Sequence, residues 1–444
     1  MQAPTYTLRC SVCNREYHGD AYVCPHCEGN FDLIYDYAAI RRSIEQNGWG
    51  PKNAGMWRYL PLLPINPAAE KPSLLVGSTP LYRVSPRAAT LMGCSGIELF
   101  VKDEGRNPTA SLKDRASSLL VAKAVNEGKH IITTASTGNA AAALCGLSAC
   151  MNLPAVIFVP ATAPPAKIAQ MRAYGARVLL VESNYDAAFD LCKDAATKYG
   201  WYCRNTGYNA FTSEGKKTCS LELCEQFAEL KQAGHELAGA RFAAPDWVVV
   251  SVGDGNIISG IWSGLRDLHA MGLIDRMPRL LGAQAEGSNY VHLCMQNPAI
   301  DPNTMAPIDS KTVADSIGAD LPRDRVRAVR ALRSTNGTSV QVNDEEILRA
   351  IPVLARNTGV FAEPAAACSL AALQKACREG IVRPGESVVL VSTGNGLKDI
   401  ASAQRAVDLE ASSPQGAAPT GSCTRVAANM AAVEQVVSQF PKTQ

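Results

Sequence analysis

Residues 130–150, "HIITTASTGNAAAALCGLSAC", decide the fold. An apolar run rich in β-branched residues ("HIITTA") passes through the turn Ser136-Thr137-Gly138-Asn139 into an alanine-rich stretch of helical length. Strand, turn and helix within one short segment make a βα unit. The pattern repeats on both sides. "IELFVKDE" precedes it as a strand. "PAVIFVP" and "RVLLVE" follow as strands, alternating with the helical stretches "APPAKIAQMRAYGA" and "NYDAAFDLCKDAATKYG", and "WYCRNT" reads as a further strand. Later "DWVVVSVG" turns through "DGN" into the helix "IISGIWSGLRDLHAMG", and "RLLGAQAEG" follows as a strand. "EEILRAIPVLARNTG" and "PAAACSLAALQKACREG" are helical, and "SVVLVSTGNG" closes as a strand. Short Val- and Ile-rich runs alternating with helices predict an α/β protein of doubly wound parallel sheets covered on both faces. Ligands of such sheets sit at the carboxyl ends of the strands.

The 444 residues suffice for two or three domains. An apolar fraction of 47% and a charged fraction of 19% are those of an ordinary soluble protein. A net charge of +2 gives no electrostatic case for nucleic acid or an anionic membrane. No apolar run reaches bilayer length, and "MQAPTYTLRC" lacks a signal-peptide core, so the expected location is cytosolic.

Most of the 15 cysteines are scattered singly, as at Cys145, Cys150, Cys219, Cys224 and Cys368, and read as small buried hydrophobes. Cys10, Cys13, Cys24 and Cys27 differ, forming two C-x-x-C pairs in "CSVCNREYHGDAYVCPHC". Four thiolates on two tight turns match tetrahedral zinc, in a site that would be structural because protein fills every position. A redox dithiol, a rubredoxin-like iron site and coincidence are the alternatives, and His26 reads as a bystander. So short a segment has little core, and the metal would hold it folded.

These signals divide the chain into a four-cysteine, zinc-ribbon-like segment (1–35), a connecting segment (36–75) with one short helix at 37–47, an α/β core (76–405), and a tail (406–444). In the tail, "LEASSPQGAAPTGSC" reads as a flexible linker and "RVAANMAAVEQVVSQF" as a short helix packed back on the body.

Residues 106–125, "RNPTASLKDRASSLLVAKAV", hold a lysine at an unusual place. Ser111 is spaced to cap a helix whose first turn holds Leu112, Lys113 and Asp114, and apolar residues keep a helical rhythm to Gly128. A cation there faces the positive end of the helix dipole. With partial burial, that favours the neutral amine, a nucleophile for carbonyls that forms Schiff bases. Taken alone, Lys113 also fits a solvated surface lysine.

Three turns at strand ends could serve such a lysine. In the first, Ser136 to Asn139, small residues admit a flat or anionic ligand and Asn139 can bond a ring substituent. In the second, Gly253, Asp254, Gly255 and Asn256 precede a helix, where backbone N–H groups form a phosphate cradle. It does not fit G-x-G-x-x-G, and Asp254 would repel a phosphate unless it points away. In the third, "STGNG", the hydroxyls of Ser392 and Thr393 suit a heteroaromatic nitrogen. A Schiff-base lysine, a phosphate cradle and a polar partner for a ring nitrogen together suggest pyridoxal phosphate.

The motifs "GSTPLYRV", "VKDEGRNPTASLKDRA", "TASTGNAAAAL", "RNTGYNAFTSEGKKT", "VGDGNIISGIWSGLRDL", "FAEPAAA" and "STGNGLKD", in this order, resemble those of the threonine synthases, fold-type II pyridoxal-phosphate enzymes. The resemblance implies two α/β/α domains, the smaller one mobile and spanning about 110–205. It implies Lys113 as the Schiff-base lysine, Asn139 at the cofactor 3-hydroxyl, Gly253 to Asn256 at its phosphate, and Thr393 at the pyridine nitrogen, left largely unprotonated. The implied reaction converts O-phospho-L-homoserine and water to L-threonine and phosphate. It needs a second phosphate site, for which Ser136, Asn205, Thr206 and Lys216 are the candidates. A small-molecule substrate and a homodimer are the expected partners.

The chain departs from the family at Leu112 (often Phe), Ala140 (often Thr), the shorter cradle with Asp254, and Asn395 (often His). None touches the lysine chemistry; Ala140 and Asp254 lie where substrate is chosen. The rival expectations are a serine/threonine dehydratase or β-replacement enzyme on the same fold, and an inactive metabolite-binding scaffold.

Overall fold

The computed structural model describes residues 3–19, 21–163, 165–233, 241–411 and 423–438. Three strands open the chain: β1 (Tyr6–Cys10), β2 (Glu16–Tyr17) and β3 (Phe31–Tyr35). They form an antiparallel sheet ordered β2-β1-β3, with Cys10 opposite Phe31 and Arg9 opposite Asp32. Helix α1 (Tyr37–Asn47) falls on the expected span, capped by the Asp36 side chain at Ala39 N–H. A 3₁₀ segment, Lys52–Leu62, follows that no apolar period announced.

The core begins with β4 (Leu81–Arg83), α2 (Pro86–Leu91), β5 (Glu98–Asp103) and α3 (Lys113–Asn126). Next come β6 (Ile132–Ala135), α4 (Asn139–Ala149), β7 (Ala155–Pro160), α5 (Pro165–Ala173), β8 (Arg177–Val181), α6 (Tyr185–Tyr199) and β9 (Tyr202–Cys203). The chain continues through α7 (Phe211–Ala233), β10 (Trp247–Ser251), α8 (Asn256–Ala270), β11 (Arg279–Ala285), α9 (Tyr290–Gln296), α10 (Arg325–Ser334) and β12 (Thr338–Val342). It ends with α11 (Asp344–Thr358), α12 (Pro364–Arg378), β13 (Ser387–Ser392), α13 (Ile400–Ala411) and α14 (Met430–Val437).

The strands form two sheets, ordered β12-β11-β10-β13-β5-β4 and β8-β7-β6-β9. All pairings are parallel except β4 against β5. The uninterrupted apolar runs behave as expected: β7, β10 and β13 are buried along their whole length between helices. Edge strand β8 is not, and Leu179 and Leu180 face solvent.

Three expectations change. Ser111 caps nothing: α3 starts at Lys113, and Ser111 pairs as a β-bridge with Gly394, its hydroxyl left without a partner. Asp114 instead ties down the incoming turn, accepting from Thr109 N–H at 2.7 Å and from the Thr109 hydroxyl. The strand at "WYCRNT" shrinks to Tyr202–Cys203, because Arg204 to Asn209 turn into α7. The expected tail helix is confined to Met430–Val437 and buries none of its residues. The linker residues 412–422 lie outside those described.

Helix α7 was not foreseen, although it is central. Its inward face is polar: Glu214, Lys216, Lys217, Thr218, Ser220 and Glu222 are all buried. Glu214 accepts from Tyr35 O–H at 2.6 Å, Lys217 pairs with Asp267 on α8 at 2.9 Å, and Glu222 meets Lys102 and Arg115. Glu225 receives both arms of Arg58, at 2.6 and 2.8 Å. Among the described residues no helix is long and apolar enough to cross a membrane.

Candidate active site

The carboxyl ends of β6, β9 and β10 and the start of α3 converge on a cavity of about 450 Å3. It is bordered by Lys113, Ser136, Asn139, Thr206, Lys216 and the whole 253–256 turn, with Ala140 and Tyr185 nearby. Two candidates from the sequence, Asn205 and Thr393, are set back from it. Asn205 is buried and accepts from Ala135 N–H at 2.7 Å and the Thr134 hydroxyl at 3.1 Å, so it braces the "STGN" turn from behind. Thr393 follows β13, and its carbonyl receives Leu112 N–H at 2.9 Å, which anchors the start of α3.

Lys113 stands at the first position of α3, and burial pulls its amine down to about 8 from the ordinary 10.5. The negative charge of Glu363 works against that shift and Arg204 adds to it. Glu363 opens α12 and is itself buried, its two oxygens accepting from Asn139 Nδ2 at 2.9 and 3.0 Å. That shared contact uses one amide hydrogen and leaves the second for a ligand. A Cβ on Gly394 would fall 2.4 Å from the Glu363 carboxylate, so the third turn needs glycine there.

The 253–256 turn has the form of a cradle. Gly255 has φ +84°, and a Cβ on it would sit 2.8 Å from Ala328 Cβ and 2.9 Å from the Asp324 carbonyl. Asn256 begins α8, so free N–H groups of its first turn face the cavity. Asp254 turns its carboxylate to Arg323 N–H at 3.3 Å, and burial raises its pKa. Both reduce the repulsion expected of an acid in such a loop. Lys216 reaches the cradle from α7 and donates to Asn256 Oδ1. Burial, then Lys113 and Arg204, hold its pKa well below the ordinary value.

Arg204 was not foreseen. It is fully buried, donates to Thr206 Oγ1 at 2.6 Å, and leaves Nη2 without a partner. Burial lowers its pKa to about 10. Because Thr206 accepts from a cation, its own O–H is free to donate into the cavity. The motifs "RNTGYNAFTSEGKKT" and "FAEPAAA" contain Arg204 and Glu363 but drew attention to their neighbours, and no motif holds Tyr185.

The residues fit pyridoxal phosphate. The cradle has no room for side chains, Ser251 Oγ borders the cavity unpaired, and a Cβ on Gly138 would meet nothing within 4 Å, leaving space against the backbone. The family described as pyridoxal-phosphate dependent enzymes matches residues 72–394. The threonine synthase of Methanocaldococcus jannaschii is 36% identical over 90% of this chain and 94% of its own. The chain belongs to the threonine synthase family. A second threonine synthase, from Methanosarcina acetivorans, is also 36% identical, over 89% of this chain and 92% of its own. Among solved structures, maize serine racemase superposes with a TM-score of 0.59 at 21% identity, covering 74% of this chain and 92% of that one. Diaminopropionate ammonia lyase from Escherichia coli gives 0.61 at 17%, covering 91% and 97%. These two share the fold. As a member of the threonine synthase family, the protein is a pyridoxal-phosphate-dependent lyase of fold type II.

At the amino terminus the four cysteine sulfurs of Cys10, Cys13, Cys24 and Cys27 lie within 4.8 Å of one another. Cys10 Sγ accepts from the N–H groups of Val12 and Cys13, both at 3.4 Å, which stabilises a thiolate.

Proposed function

We propose that this threonine synthase converts O-phospho-L-homoserine and water into L-threonine and phosphate, with Lys113 as the cofactor-bearing lysine. The observation that carries this reading is the meeting of two anion-binding groups about one partly buried lysine. The first, at the end of β10, is the 253–256 cradle with Lys216. The second, at the ends of β6 and β9, is Ser136 with Thr206, backed by Arg204. A substrate carrying its own phosphate, on a cofactor carrying another, requires two such groups.

Bound pyridoxal phosphate supplies an electron sink for carbanions formed on the substrate. Gly253, Asp254, Gly255 and Asn256 would hold its phosphate through backbone N–H groups and Asn139 its 3-hydroxyl, while the Thr393 hydroxyl, set back in the third turn, would serve its ring nitrogen. Lys113, easily deprotonated, moves protons at Cα and Cβ of the substrate. Ser136, Thr206 and Arg204 hold the substrate phosphate through its departure from Cγ. Asn205 acts from behind by fixing the turn that carries Ser136. Zinc suits the four thiolates, and we assign the protein to the cytosol as a homodimer.

The test is purified protein supplied with O-phosphohomoserine and assayed for threonine and inorganic phosphate together. Equal release of the two is expected. Faster ammonia release from serine or threonine would overturn the assignment in favour of a dehydratase, an outcome to which Ala140 and Asp254 give weight.

A further inference from the structure

Asp32 lies on β3, in the small sheet that carries the cysteine turns, yet its carboxylate faces α10. It is 3% exposed. Oδ1 accepts from Arg327 Nε at 2.7 Å and Oδ2 from Arg330 Nη1 at 2.9 Å. Arg330 also donates to the carbonyl of Ser11, inside the first C-x-x-C turn. Arg327 is fully buried and passes the contact on, its Nη1 meeting Asp324 Oδ2 at 3.0 Å. Asp324 Oδ2 accepts from Asn256 Nδ2 at 2.8 Å, and Asn256 Oδ1 accepts from Lys216. The Asp324 carbonyl is also the wall against which Gly255 is packed. An unbroken line of polar contacts, buried from Asp32 onward, thus runs from a cysteine turn to the phosphate cradle.

The line has a direction. An ionised carboxylate only accepts, so Asp324 takes the NH2 end of the Asn256 amide and leaves its oxygen for Lys216. Asp324 remains in that role because a rigid guanidinium faces it, and that guanidinium is oriented by Asp32 through Nε. Without the charge of Asp32, Arg327 keeps Asp324 and the hydroxyls of Ser213 and Ser263, at 3.1 and 3.2 Å, but loses the ion pair that orients its Nε edge, so Asp324 and the Asn256 amide are held less firmly.

We infer that Asp32 is a positioning residue for the cofactor phosphate: the amino-terminal knuckle sets, through Arg327, Asp324 and Asn256, where Lys216 and the cradle stand. The inference rests on the reading of residues 253–256 as the phosphate cradle.

The test compares pyridoxal 5'-phosphate with pyridoxal, which lacks the phosphate. Full-length protein freed of cofactor is titrated with each by visible absorbance, unmodified and as Asp32→Asn and Arg330→Gln. Asp32→Asn is expected to weaken pyridoxal 5'-phosphate about ten-fold or more, equivalent to ~1.4 kcal/mol, and to leave pyridoxal unchanged. Equal weakening of both ligands, the mark of general loosening, overturns the inference. So does a folded variant that binds both as before. If Asp32→Asn fails to fold, Arg330→Gln decides: this half-exposed partner should give a smaller loss confined to the phosphorylated ligand, and an unchanged ratio refutes. Failure of the underlying reading looks different: the unmodified protein would then not prefer pyridoxal 5'-phosphate to pyridoxal at all, and the inference falls with it.

Discussion

Asn139 donates to both carboxylate oxygens of Glu363, at 2.9 and 3.0 Å, and so joins the start of α4 to the start of α12. Helix α4 packs on β6 and β7 of one sheet, and α12 on β10 to β13 of the other. The acid that bridges them is also the strongest opposite charge acting on Lys113. Glu363→Gln therefore removes support for the protonated amine. The pH midpoint for covalent capture of pyridoxal phosphate, followed by visible absorbance, should fall below the value of about 8 held by the unmodified protein. A midpoint that stays or rises would contradict this coupling.

Lys113→Ala should abolish the absorption band at roughly 410–430 nm that marks a lysine-linked cofactor, and all turnover, while the chain stays folded. A retained rate would remove Lys113 from the chemistry.

Burial also makes Lys113 a stability term. Its folded pKa of about 8 lies below the ordinary 10.5, so the folded state binds this proton less tightly than the unfolded one. Below about pH 8 the lysine destabilises the fold in full, and the penalty is relieved as pH rises toward 10.5. In cofactor-free protein, the unfolding midpoint of the unmodified chain should gain on that of Lys113→Ala between these limits. A constant gap across that interval would show that the amine is not desolvated.

Two positions beyond Lys113, Arg115 is fully buried, 2.7 Å from Glu104 and 3.0 Å from Glu222. Arg115→Ala leaves two buried carboxylates short of a partner and should cost about 3–5 kcal/mol, read by denaturant unfolding. Despite burial, Arg115 draws Glu104 down, and Arg115 with Lys102 draws Glu222 down to about 2, from an ordinary 4.5. The stability they lend is complete above 4.5 and lost as pH falls through the folded values, so the variant should be less sensitive to acid over that range.

The cysteine knuckle carries buried Leu8, Phe31 and Leu33. If the four thiolates hold zinc as proposed, Cys10→Ser should lower the metal content below one atom per chain and release part of that small core. Each such side chain fully re-exposed costs about 1.5–3 kcal/mol. Metal analysis beside thermal unfolding checks both. Full stability in a metal-free protein would show the four thiolates to be incidental.

The strands and most helices could be read because their signal is local. The run "WVVVS" in β10 is apolar throughout because helices cover both its faces, and Gly255 marked the cradle because only glycine fits there. What escaped was buried polarity. Helix α7 shows no regular apolar stripe, since buried Glu214, Lys217 and Glu222, matched to partners far along the chain, are interspersed with buried Phe211, Leu221, Leu223 and Phe227. Glu363 and Arg204 escaped for the same reason: their importance lies in Asn139, Thr206 and Lys113, which the fold brings to them. Ser111 misled in the other direction, because a capping residue drawn into a β-bridge leaves no local trace.

Helix α7 has one further property. A helix seated on grease can slide by a turn and find nearly equivalent contacts. This one meets Tyr35 with Glu214, Asp267 with Lys217, Arg115 with Glu222 and Arg58 with Glu225, four matches drawn from four separate stretches of chain. A slip of one turn, ~5.4 Å, would spoil all four together. The helix works as a key with a single seat. Lys216 rides on that key, so the place of its amine at the cradle is settled by registry along the whole shaft.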